Sequence, residues 1–298
     1  MQIDLNRFRG CLLGLAVGDS VGTTVEFQQR GSFSPVTDMV GGGPFHLKPG
    51  QWTDDTSMAL CLATSLISTN GFDPINQMDR YWDWFQGGYL SSTGECFDIG
   101  NTVRQALERY KHTGNSFSGS TDPSSAGNGS LMRLAPIPMF YFPDLEKTIS
   151  FAGKSSRTTH GASECIEACQ LFAEMLFRAL SGLNTEKLLL NTTIKISSPK
   201  ISDIASGNYF QKSTTQIRGT GYVVESLEAA LWCFYQTDSF ETAILRAANL
   251  GDDADTTSAI CGQIAGAYYG ESGIPIKWLE KLFMRAEITD LADKLSGA

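Results

Sequence analysis

Apolar residues recur at three- and four-residue intervals along most of this chain, and the strict alternation expected of half-buried strands is nearly absent. That periodicity predicts an all-α protein. Helices are expected near 6–18, 54–69, 74–86, 101–112, 145–153, 160–181, 184–192, 222–236, 240–250, 254–269 and 275–287. The opening RFRGCLLGLAV has the charge and apolar order of a signal peptide, but no clear small-x-small cleavage site follows, so it reads as a first core helix. No apolar run reaches the roughly 18–20 residues that span a bilayer.

The connections carry more information than the helices. VGGGPFHLKPGQWTDD (40–55), GGYLSSTGECFDIGN (87–101) and HTGNSFSGSTDPSSAGNGS (112–130) are each longer than the usual connection of about 4–6 residues. Long loops in compact domains are often binding loops, and these are expected to gather on one domain spanning 1–298. A net charge of −9 gives no footprint for a phosphate backbone, which argues against nucleic acid as a partner. Seven cysteines without a repeating spacing do not form a disulfide framework, so a reducing, cytoplasmic setting is expected.

Two acidic clusters open predicted helices. QWTDDTSMALCLATSLI (51–67) and LGDDADTTSAICGQIAGAYYG (250–270) each place Thr and Asp ahead of a helix rich in small residues. Capping is the plain reading, since a Thr or Asp oxygen accepts a backbone N–H and first-turn carboxylates complement the helix dipole. One cap requires one oxygen, however, whereas Asp252, Asp253 and Asp255 stand within four residues beside Thr256 and Thr257 and repel one another. A cation would relieve that repulsion. Carboxylates and hydroxyls without His or Cys suit hard ions such as Mg²⁺, Mn²⁺ or Ca²⁺ rather than Zn²⁺, and the spacing is not that of an EF-hand. Together the clusters hold more carboxylates than one Mg²⁺ usually takes, which makes a two-ion centre plausible.

Three further stretches could complete such a site. GLAVGDSVGTTVEF (14–27) follows the first expected helix and carries Asp19 and Glu26, and CFDIGNTV (96–103) sets Asp98 in a loop before a helix. AGNGSLMRLAPI (126–137) flanks Asn128 with glycines, which reads either as a tight turn or as a close backbone approach to an anion. Asp98 alone fits a cap or turn residue as well as a functional one. His160 fits a hydrogen-bonded structural residue, and Cys165 and Cys169 fit a buried helix face rather than a metal spacing. Arg133 is compatible with a phosphate contact or a surface salt bridge, and Tyr222 with a ligand contact or core packing.

In this order, GLAVGDSVGTTVEF, GGGPFHLKPGQWTDDTSMAL, CFDIGNTV, GNGSLMRLAPI, THGASECIEAC, GYVVESLEAALW and GDDADTTSAICGQIAGAYYG resemble the ADP-ribosylglycohydrolases, especially the dinitrogenase-reductase-activating glycohydrolase branch. The similarity runs from Phe8 to about Gly270. It implies an all-α fold with two divalent cations, Mg²⁺ or Mn²⁺, at the base of an ADP-ribose cleft. Thr53, Asp54, Asp55, Asp253, Asp255 and Thr256 would be the metal ligands, with Asp252 a neighbour. Asp98 and Glu26 would serve catalysis. Gly127, Asn128, Gly129, Ser130 and His160 would hold the ADP-ribose, and Tyr222 would lie near the cleft.

The implied activity is removal of ADP-ribose from arginine on an ADP-ribosylated protein, with ADP-ribose as product. Cations that fix the ribose hydroxyls and activate a water suit that N-glycosidic bond. Another ADP-ribosyl linkage, to serine or in O-acetyl-ADP-ribose, remains open, as does a non-catalytic ADP-ribose-binding or toxin-blocking module.

Overall fold

The computed structural model describes residues 3–297. Among them no β-strand occurs, only isolated bridges that join Gly42 to Leu47, Ser120 to His160 and Gly127 to Tyr222. The helices, in chain order, begin with α1 (Leu5–Gly22), α2 (Asp54–Thr69), α3 (Pro74–Gly87), α4 (Asn101–Thr113) and α5 (Pro136–Tyr141). Next come α6 (Leu145–Arg157), α7 (Ser163–Leu180), α8 (Thr185–Leu189), α9 (Pro199–Ala205) and α10 (Val223–Tyr235). The chain closes with α11 (Phe240–Ala248), α12 (Ala254–Tyr269), α13 (Ile276–Lys281) and α14 (Arg285–Ser296). The all-α expectation holds, and no described helix is long and apolar enough to cross a membrane.

The centre of the fold is the antiparallel pair α1 and α12. Gly10, Gly14, Gly18 and Gly22 recur one per turn along α1 and meet Gly266, Gly262, Ser258 and Ala254 of α12. A Cβ on Gly14 would overlap the Gly262 carbonyl oxygen, and one on Gly262 would overlap that of Gly14. The helices therefore touch backbone to backbone, a separation that only glycine at these positions permits. Both are buried on nearly all sides, as a centrally placed helix must be. The antiparallel run brings the end of α1 beside the beginning of α12.

Several expected boundaries move, each for a local reason. α1 continues to Gly22, so Asp19 sits in a helix rather than after it. The segment expected at 184–192 is helical only over Thr185–Leu189, because Leu190 is extended and Asn191 is left-handed with φ 62°. The single helix expected at 275–287 divides where Met284 turns left-handed, φ 53°, and α14 starts afresh. α5 and α9 were not expected. Each has Pro in its first turn, where the missing N–H costs nothing, and Ser198 caps α9.

Candidate active site

The start of α2 is capped from another helix. Thr53 is its N-cap residue but its side chain makes no capping bond. Instead the Asp19 carboxylate accepts the Thr53 N–H (2.9 Å) and hydroxyl (3.0 Å) on Oδ1, and the Thr56 N–H (3.1 Å) and hydroxyl (2.6 Å) on Oδ2. With the Thr53 and Thr56 amides held by Asp19, the cap is supplied from α1 and not by Asp54 or Asp55, both of which line a cleft.

The start of α12 behaves similarly. Asp253 occupies the N-cap position without a capping bond from its side chain, and its Oδ2 accepts the Asn128 amide at 2.8 Å. The Thr256 hydroxyl donates to Asp55 Oδ1 at 3.2 Å, and the Thr53 hydroxyl lies 3.3 Å from Asp255 Oδ2. The clusters, two hundred residues apart in sequence, thus interlock.

Two loops bring the remaining carboxylates. Asp98 is left-handed, φ 60°, and the cap of the following helix α4 is Gly100, so Asp98 is not a cap. Phe27 and Asp252 are also left-handed, at 62° and 56°. The Phe27 N–H donates to the Asp252 carbonyl (2.7 Å) and the Asp252 N–H to the Gln28 carbonyl (2.8 Å), pinning Glu26 beside α12. Such backbones cost about 1–2 kcal/mol each and persist only where the surroundings hold them. Carboxylate oxygens of Glu26, Asp98 and Asp255 consequently lie within 4.8 Å of one another.

Glu26, Asp54, Asp55, Asp98, Gly127, Asn128, Gly129, His160, Asp253, Asp255 and Thr256 line one cleft of about 350 Å³, a size ordinary for small-molecule sites. Among the described residues its lining contains no lysine or arginine. Burial, reinforced by Asp98 and Asp253, pushes the Glu26 carboxyl up to about 9. Burial, with Asp253 and Asp19 nearby, lifts Asp98 to about 7. Asp54, Asp55 and Asp255 are raised well above the carboxylate range by burial first and mutual repulsion second. Asp55 Oδ2 and Asp255 Oδ1 are buried without a hydrogen-bond partner. Unpartnered hard oxygens in a self-repelling group fit a divalent cation.

The Gly-Asn-Gly segment is a pinned turn: Asn128 N–H donates to the Gly221 carbonyl, and the Val223 N–H to the Ala126 carbonyl. A Cβ on Gly129 would press on the His160 ring at 2.9 Å, so glycine here lets the imidazole approach the backbone. Arg133 donates to the Thr159 hydroxyl (2.8 Å), which leaves that hydroxyl's proton for His160 Nδ1 (2.9 Å). Nδ1 is then the acceptor and Nε2 carries the hydrogen. Burial, aided by the nearby Arg133 charge, drops the His160 pKa to about 3, so the ring is a neutral donor.

Other expected residues lie elsewhere. Thr53 is fully buried beneath the lining, and Ser130 bonds to Ser156 behind the turn. Tyr222 lines a neighbouring hollow, where its hydroxyl donates to Glu164 and its ring carries the Lys200 ammonium at 4.9 Å. Arg133 makes neither of its expected contacts. It is wholly buried, stacked on Tyr81 at 4.6 Å and bonded to the Gly129 carbonyl. Cys165 and Cys169 are on a buried face of α7, as expected, and all seven cysteines are free. Sequence reasoning missed the role of Asp19 as a remote cap, although its place between Gly18 and Gly22, inside the four-residue glycine spacing of α1, marked the helix's continuation.

An all-helical protein with a buried carboxylate cleft suited to hard cations is the class that this fold and site define. The family model for ADP-ribosylglycohydrolase matches residues 1–298, and the chain belongs to that family. It is 46% identical over 291 residues to the ADP-ribosylarginine hydrolase Tri1 of Serratia proteamaculans (strain 568), covering 98% of this chain and 79% of the relative. The ADP-ribosyl-[dinitrogen reductase] glycohydrolase of Rhodospirillum rubrum is 32% identical, with 95% and 92% covered. A solved structure described as an ADP-ribosylglycohydrolase-related protein complex superposes with a TM-score of 0.87 at 43% identity, covering 98% of both chains.

Proposed function

We propose that this protein hydrolyses the N-glycosidic bond between ADP-ribose and an arginine guanidinium on a target protein, using two divalent cations, Mg²⁺ or Mn²⁺. The observation that carries the reading is the meeting of two Thr-Asp helix starts with Glu26 and Asp98 around buried, unpartnered carboxylate oxygens. The names of the relatives at 46% and 47% identity support arginine as the linkage.

Thr53, Asp54 and Asp55 from α2 and Asp253, Asp255 and Thr256 from α12 are the residues that would hold the cations. Bound there, the ions supply Lewis-acid charge that fixes ribose hydroxyls and eases ionisation of water. Asp98 accepts the proton of the water that attacks the ribose C1″, and the departing guanidine, a far stronger base, finally takes that proton. Glu26 orients Asp98 within the same carboxylate group. Gly127 and Gly129 bring backbone close to the ADP-ribose, and His160 offers Nε2–H as a neutral donor. Asn128 acts through Asp253, and Ser130 supports the turn from behind. Tyr222 follows the cleft-lining Gly221 and stays near the cleft, in the neighbouring hollow. We read residues 1–298 as one domain, and the free cysteines favour the cytoplasm.

The test is incubation with an ADP-ribosylated arginine protein after chelation, with and without added Mg²⁺ or Mn²⁺, following free ADP-ribose. Metal-dependent release is expected. No release under any condition overturns the arginine reading. Release only from ADP-ribosylserine or O-acetyl-ADP-ribose would reassign the bond, and binding without release would make the protein a recognition module.

A further inference from the structure

Two carboxylates of the cleft each have a phenylalanine as their chain neighbour: Glu26 is followed by Phe27, and Asp98 is preceded by Phe97. Phe27 lines the cleft yet remains 68% exposed. Its ring meets Phe45 edge-on, with centroids 6.4 Å apart at 75°, and Phe45 meets Phe97 at 5.1 Å and 58°. The three rings come from three separate loops and form a continuous row beside the acidic lining.

The row is built to stay in place. Phe27 is fixed by its left-handed backbone and the paired bonds to Asp252. Phe45 sits at the tip of a turn closed by the Gly42–Leu47 bridge. That turn is seated where Gly43, with φ 66°, lies so close to the Thr23 carbonyl that any Cβ would overlap it. An exposed aromatic ring is ordinarily a cost to solubility, and here strained backbone holds one at the edge of a carboxylate group. The two surfaces attract one kind of ligand together, a planar delocalised cation: its charge suits Glu26 and Asp98, the carboxylates beside the rings that are not assigned to the cations, and its face suits the ring quadrupole.

We infer that Phe27, supported by Phe45 and Phe97, seats the guanidinium of the target arginine and so selects arginine-linked ADP-ribose over linkages to uncharged acceptors. This deepens the hydrolase reading and rests on it. A serine oxygen or an acetyl ester offers no cation to the ring.

The probe is agmatine, a small guanidine, titrated into the ADP-ribose-loaded protein and followed by NMR, alongside release of ADP-ribose from an arginine-modified protein. Phe27→Leu retains apolar bulk without the quadrupole, and Phe27→Trp retains the quadrupole. F27L should weaken agmatine binding and lower kcat/KM by about 2- to 30-fold, F27W should stay near the parent, and ADP-ribose affinity should be unchanged in both. Equal agmatine binding by the parent and F27L, or a loss in F27W as large as in F27L, overturns the inference. A parent protein that releases no ADP-ribose sinks the hydrolase reading, while the agmatine comparison still decides the ring's role.

Discussion

The carboxylate of Asp19, on the last turns of α1, accepts both the backbone N–H and the hydroxyl of Thr53, which begins α2 thirty-four residues later. The contact fixes one helix's origin to another helix's side. Asp19→Asn keeps the shape but turns an NH₂ toward donors, so one pair of Thr53 or Thr56 groups loses its acceptor. The expected loss is about 2 kcal/mol, a fall of a few degrees in the unfolding midpoint, together with reduced turnover as Asp54 and Asp55 lose their register. An unchanged midpoint would show that the remote cap contributes nothing.

Gly262→Ala sets two effects against each other. Helix propensity favours alanine by about 1 kcal/mol, but the new Cβ would drive into the Gly14 backbone, which has no side chain to move aside. Overlap should win, with a net destabilisation of about 3 kcal/mol or more. Gly87→Ala at the exposed end of α3 has open space around it and should be neutral or slightly stabilising. Thermal unfolding of the two variants separates close approach from a general intolerance of alanine.

His160 predicts a pH window. Its folded pKa of about 3 lies below the ordinary value of 6.5, so between those values the unfolded chain binds the extra proton. The stability contributed is complete above pH 6.5 and is lost as pH falls toward 3. His160→Asn lacks that titration, so the midpoint gap between parent and variant should narrow from pH 7 to pH 4. A gap independent of pH would mean that the ring is not held neutral.

Asp255 and Asp98 should separate cation binding from chemistry. Asp255→Asn removes one of the self-repelling carboxylates, so the chelated protein should become more stable while Mg²⁺ or Mn²⁺ no longer raises its midpoint and turnover disappears. Asp98→Asn should slow turnover by about 100-fold or more and leave most of the cation-induced stabilisation intact. Full activity in the Asp98 variant would remove it from the catalytic step.

The helical class and both acidic clusters were legible because they are local patterns: a 3.6-residue period and a surplus of carboxylates at a helix start. What escaped the sequence acts through space. Nothing around Asp19 says that its oxygens reach Thr53 and Thr56, and nothing in SLMRLAP says that Arg133 is buried on Tyr81 instead of facing a phosphate or solvent. Asn128 lines the cleft, and nothing in the Gly-Asn-Gly stretch says that its amide also holds Asp253. The spacing of Gly10, Gly14, Gly18 and Gly22 was in plain view, yet its meaning depends on small residues at the other end of the chain. α14 has a mixed polar face and begins after a left-handed methionine, a break that no local rule announces.

The backbone contact between α1 and α12 also sets a timetable. α12 begins only at Ala254 of 298 residues, so the floor of the cleft has no second half until most of the chain has left the ribosome. Until then α1 has α2, α7 and α11 beside it but lacks its main partner, and the carboxylates of α2 stand without those of α12. A nascent or prematurely ended chain therefore carries only the α2 half of the carboxylate group, and the glycine face of α1 that α12 covers stays bare.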